Sequence, residues 1–128
     1  MNRKSIRFDP ENFLTLAELL IDAKESQSLE ASYRTIINRS YLAVVWKAAL
    51  LLEPLVGVPI PQSAEFYRFV EDALAKRNAL NSKNKLGALR RWRNDADYKL
   101  DVRVRKGRAE YAISTAKDVL TLIESEIV

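Results

Sequence analysis

The sequence predicts an all-α fold, an antiparallel bundle of four to five helices. Apolar residues recur at three- and four-residue spacing along most of its length, and no alternating stretch is long enough to build a sheet. Proline, asparagine and serine clusters punctuate these periods at short intervals, as antiparallel neighbours require.

Asp9-Pro10-Glu11 starts the first helix, with Asp as N-cap, Pro at the first helical position and Glu in the first turn. It runs to about Lys24 and buries Phe13, Leu16, Ala17, Leu20 and Ala23. After the polar break Glu25-Ser26-Gln27-Ser28, a second helix spans Leu29 to Leu52. Its inner stripe is Tyr33, Ile37, Tyr41, Val44, Ala48 and Leu51; Ile36, Ala43, Trp46 and Leu50 cover much of the rest. A helix apolar on most sides is central in a bundle or buried against another chain. The polar cluster Arg34, Asn38 and Arg39, with Tyr41 beside it, reads as a rim or a helix-to-helix hydrogen bond.

The proline-rich run EPLVGVPIPQ, Glu53 to Gln62, ends that helix. Ser63 caps a third, with Glu65 in its first turn and Phe66, Phe69, Val70, Ala73 and Leu74 facing inward. Asn78 to Lys85 carries no apolar period and reads as a loop, with Ser82 a cap for a helix over Leu86 to Leu100. At about 100° per residue, Leu89, Trp92, Ala96 and Leu100 share one face of that helix. Arg93 and Asp97 lie one turn apart along its edge, with Arg90 and Asn94 beyond. A short extended linker leads to the last helix, about Lys106 to Ile127, where Ala109, Ile113, Ala116, Leu120, Ile123 and Ile127 form the cleanest period.

At 128 residues the chain reads as one domain, with residues 1–8 an N-terminal extension. It holds no cysteine and no histidine, which removes thiolate and imidazole metal sites, cysteine nucleophiles and histidine bases. Asp95, Asp97 and Asp101 make a poor Mg²⁺ site, because on a helix Asp95 points about 160° from Asp97. No metal and no cofactor is expected. The N-terminus has no signal-like apolar core, and the runs Leu42–Trp46 and Ala48–Leu52 are split by Lys47, so the expectation is a cytoplasmic protein without a membrane span.

The net charge of +4 conceals an asymmetry. From Lys76 to Arg108 there are 12 basic and 3 acidic side chains; the other 95 residues hold 9 basic and 14 acidic. A cationic third on an acidic body points to a polyanion. The residues expected to meet RNA or a nucleotide are Arg90, Arg91, Arg93, Lys99, Arg103 and Arg105. Trp92 among them reads as core rather than a stacking surface, from its place in the apolar stripe.

Two runs carry a resemblance. Tyr33-Arg34-Thr35-Ile36-Ile37-Asn38-Arg39-Ser40-Tyr41-Leu42-Ala43 is similar to the Tyr-Arg-x-x-x-Asn-Arg-x-Tyr-Tyr-Ala pattern of HEPN-domain proteins. Leu89 to Tyr98 is similar to their Leu-x-x-x-Arg-Asn-x-Ala-Asp-Tyr pattern, and a final amphipathic helix follows a short charged linker. The resemblance covers roughly Asp9 to Glu126. It implies a bundle that commonly forms homodimers, often a metal-independent endoribonuclease of toxin–antitoxin or defence type, paired with a nucleotidyltransferase-type partner. The family's active motif is Arg, a polar residue and, four to six residues on, His. Arg93 and Asn94 match its first part, while Asp97, Tyr98 and Lys99 stand where the His would be.

Cutting RNA without a metal requires a base for the 2′-OH, a donor to the phosphorane and an acid for the leaving oxygen. Arg93 suits the charge role and Asn94 flanks it, while Asp97 and Tyr98 are the remaining proton carriers. Asp97 beside Arg93 is a weak base, and a tyrosine phenol ordinarily titrates at about 10. The expectation is therefore an RNA- or nucleotide-binding homodimer with a degenerate nuclease motif. The alternatives are an active endoribonuclease using Arg93 without a His, and a non-catalytic partner of a nucleotidyltransferase.

Overall fold

A computed structural model describes residues 8–61 and 63–127. The chain is all-helical, 79% helix with no strand among the described residues. The elements are α1 (Glu11–Asp22), α2 (Glu30–Val56), α3 (Phe66–Lys76), α4 (Leu80–Tyr98) and α5 (Lys106–Ile127), with a 3₁₀ turn at Lys24–Ser26. Residues 1–7 of the expected N-terminal extension lie outside the described residues; Phe8 packs edge-on against Phe13 at 5.1 Å.

α2 is the axis of the bundle and packs against α1, α3, α4 and α5. Ile36, Ile37, Tyr41, Ala43, Val44, Val45, Ala48 and Leu52 are wholly buried, which explains why its apolar residues cover more than one face. By length and composition alone α2 is long and apolar enough to cross a membrane, and 56% of that window is buried within the bundle. The helix runs through Lys47, whose Nζ reaches Glu11 Oε2 of α1 at 3.1 Å.

Asp9 Oδ1 accepts the Glu11 N–H at 3.0 Å, while Pro10 takes the cap position and α1 starts at Glu11, one residue later than expected. α1 buries Leu14 and Ala17 and packs Phe13, Leu20 and Ile21 half-buried against the core; of the expected stripe it is Leu16 that turns outward. It stops at Asp22, where Ser26 Oγ donates to the Leu20 carbonyl and turns the chain.

Three boundaries correct the sequence reading. α2 does not end at Leu52 but takes in Pro54 and closes at Gly57, whose φ of 78° is the left-handed conformation glycine tolerates best. Pro54 leaves the Leu50 carbonyl without its usual helical donor, and at the helix end Arg77 Nη2 donates to the open Leu55 carbonyl at 2.8 Å. Asn78 to Lys85 is not a loop: α3 ends in a left-handed Asn78 (φ 60°), the Ala79 N–H bonds back to Leu74 at 2.9 Å, and α4 starts at Leu80. Ser82 therefore sits inside the first turn of α4 instead of capping it, and Glu126 Oε1 of α5 accepts its N–H at 2.7 Å. Lastly, α4 ends at Tyr98, leaving Leu100 88% exposed beyond the helix and off the apolar stripe.

Candidate functional site

α4 carries the site because it lies between α3, α2 and α5 and shows each a different side. Leu86, Leu89 and Ala96 face the core, and the polar ridge stands beside them. Arg93 Nε lies 3.0 Å from Asp97 Oδ2, with the two side chains 14% and 23% exposed. The contact is an ion pair and not a hydrogen bond, since the Nε–H is not aligned on any acceptor. Asn38 Nδ2 of α2 donates to the same Asp97 oxygen at 3.0 Å, and Arg39 Nη1 donates to Asn38 Oδ1 at 2.9 Å.

Three tyrosine rings enclose the Arg93 guanidinium, with centroids 5.7 Å (Tyr41), 5.3 Å (Tyr67) and 5.7 Å (Tyr98) from its Cζ. Tyr41 is fully buried and its hydroxyl has no partner. Burial, followed by the nearby charge of Glu71, holds its phenol far above the ordinary tyrosine range, so Tyr41 stays neutral. Tyr98 is 71% exposed at the helix end.

The Arg93–Asp97 pair stands at the boundary between two clefts. A cleft of about 500 Å³ between α3 and α4 is lined by Arg90, Arg93 and Asn94 together with Lys83, Arg68, Tyr67, Glu71 and Asp72. Another of about 500 Å³, toward α2, is lined by Asp97 and Tyr98 with Arg34, Asn38 and Arg39. The catalytic candidates are thus adjacent but divided between the clefts. Lys83 and Arg68 were missed from sequence. With Asn78–Lys85 read as helix, Lys83 falls about two turns before Arg90 on the same side.

Arg34 has a structural duty. Its Nη1 donates to the carbonyls of Asp95 (3.3 Å), Ala96 (2.9 Å) and Lys99 (3.2 Å), its Nη2 to Val102, and its Nε to Glu30 Oε2 at 3.0 Å. These bonds satisfy the open carbonyl end of α4. Glu30 also accepts the Val104 N–H, and that bond, followed by Arg34, holds its carboxyl below the usual range.

Much of the positive charge is engaged in the same way. Arg90 pairs with Glu71, Lys99 with Asp95 at 3.0 Å and Lys85 with Asp118 at 3.9 Å. Arg91, Arg103, Arg105 and Lys106 are exposed, the last three beyond the end of α4 and away from the clefts' linings. Among the described residues no three acidic side chains are gathered as metal ligands. Trp92 packs half-buried against the core, and its outer side meets Tyr111 and Arg108.

Searches against protein families, curated proteins and solved structures return no match for this chain.

Proposed function

We propose that this chain is a HEPN-like bundle that binds RNA or a nucleotide without cutting it, as a cytoplasmic homodimer of toxin–antitoxin or defence type with a nucleotidyltransferase-type partner. The observation that carries the binding is the α3–α4 cleft, where Lys83, Arg90, Arg93 and Arg68 meet against Glu71 and Asp72. Arg90 and Arg93 there have forked donors suited to phosphate oxygens.

The nuclease alternative has less support. Asp97 is engaged by Arg93 and by Asn38, and no histidine stands in for a proton carrier. Arg93 is held by a carboxylate and three rings, which suits a fixed wall of the cleft better than a group that follows a moving charge.

The test is binding of a short labelled single-stranded RNA by fluorescence anisotropy between about 50 and 200 mM salt. Affinity is expected to fall steeply, with a log–log slope of about −0.7 for each phosphate contact. Lys83→Ala with Arg90→Ala should flatten that slope by about 1.4. An unchanged slope and affinity in the double variant would remove the cleft from the binding surface. Cleavage of RNA in EDTA, lost in a folded Arg93→Lys variant, would reinstate the nuclease.

A further inference from the structure

α4 shows three different surfaces in three successive residues. Arg90 reaches Glu71 on α3, Arg91 is exposed about 100° further round, and Trp92 a further 100° on meets α5. On the α5 side Tyr111 lies 5.1 Å from the Trp92 ring at 38°, and Arg108 Cζ sits 4.7 Å over the same indole. Trp92 is anchored in the core, so the pair is rigid on its inner side. Tyr111 is 57% exposed, which leaves an aromatic ring open to solvent one helical turn after Arg108.

Tyr111 and Arg108 both lie against the outer side of Trp92, and more than half of the tyrosine stays open to solvent. An open ring backed by a fixed indole and edged with cations is the arrangement that holds an unpaired base and its phosphate. The cationic crest at Arg91 joins this platform to the Lys83–Arg90 side of α4. A duplex hides its base faces, so the chemistry selects a single strand.

We infer that single-stranded RNA lies across the outer face of α4, with its phosphates on Arg91 and Arg108 and one base stacked on Tyr111. This rests on the RNA-binding reading above and adds the strandedness of the ligand and a second contact surface.

The experiment compares a short single-stranded RNA with an abasic strand of equal length and charge, by anisotropy, on the full chain. Tyr111→Ala should weaken RNA binding about tenfold and leave the abasic strand unchanged, while Tyr111→Phe should bind like the parent. Both variants lie on an exposed position, and a thermal melt confirms that each is folded. If the parent binds RNA and Tyr111→Ala binds it equally well, the platform is wrong while RNA binding stands. An equal loss for both strands also overturns the platform, since it reports charge and not stacking. If the parent binds no RNA at any salt, both readings fall together. Tighter binding of duplex than of single strand would overturn the platform alone.

Discussion

Arg34 on α2 donates from Nη1 to the carbonyl of Ala96 on α4 at 2.9 Å, closing the end of a helix 62 residues away in the chain. The same guanidinium reaches Asp95, Lys99 and Val102 and is steadied by Glu30 one turn before it. It does for α4 what a C-cap sequence would, in a helix with no basic residue in its last turn. The ridge residues Arg93, Asn94 and Asp97 are therefore held in register by a side chain that is not itself on the ridge.

Arg34→Ala should destabilise the fold by about 2 kcal/mol, the scale of several charge-assisted hydrogen bonds with part of the loss recovered by water. Arg34→Lys should recover less than half, because a point ammonium cannot address that set of carbonyls at once. Urea midpoints measured at constant m-value report the two losses. A lysine variant as stable as the parent would mean that charge alone, and not the fork, closes α4.

At the other end of α4 a carboxylate does the complementary work. Desolvation opposes ionisation of Glu126, but hydrogen bonds from Ser82 and then Asn81 outweigh it and hold its carboxyl below the usual range. A depressed folded value makes a contribution that is present above the unfolded value, about 4.3, and lost as pH falls through the folded one. Glu30 acts in the same direction through Val104 and Arg34. Urea midpoints should thus decline below about pH 4. Glu126→Gln should shallow that decline and cost about 1 kcal/mol at neutral pH, the usual worth of a helix cap. A decline of unchanged steepness in the variant would assign the acid sensitivity elsewhere.

How far the sequence revealed this bundle differs by element. α5 shows its period plainly because one face of it is buried and the other is not, and its observed limits, Lys106 and Ile127, are those the spacing predicts. The first turns of α4 were hidden because their burial is by Ser82 and Gly87 as well as by Leu86, and small residues do not register as an apolar stripe. That error displaced Lys83 from the cleft. The charge asymmetry and the intrahelical pairing of Arg93 with Asp97 were visible, but the ion pair of Arg90 with Glu71 and the bond from Arg77 to Leu55 depend on which helices meet. The Tyr67 and Tyr41 rings around Arg93 come from two further helices and have no local signature at all.

Gly87 is the position where the helix can be improved. It is buried in mid-α4, yet a Cβ there would meet Glu71 Oε1 at 3.5 Å and Arg91 Nη1 at 3.6 Å, both ordinary contacts with ends of flexible side chains. Glycine costs about 1 kcal/mol against alanine in a helix interior. Gly87→Ala should therefore stabilise the chain by about 0.5–1 kcal/mol and raise its melting temperature by a few degrees. Destabilisation would show that Glu71 and Arg91 cannot give way even slightly.

The amino end of α5 is where stability and the proposed function should separate. Arg103, Arg105, Lys106 and Arg108 gather there, and the first turn holds no acidic residue. Cations at that end oppose the helix dipole, so each costs stability instead of adding it. Lys106→Glu reverses one of them at an exposed position and should stabilise α5 by about 0.3–1 kcal/mol at low salt, with the gain shrinking as salt is added. The same change lowers the positive charge at the end of α5 that carries Arg108 and should weaken binding of single-stranded RNA several-fold. A variant that gained stability and kept full affinity would show that Lys106 serves neither the fold nor RNA. A variant that lost both would show that Lys106 holds the linker before α5 in place.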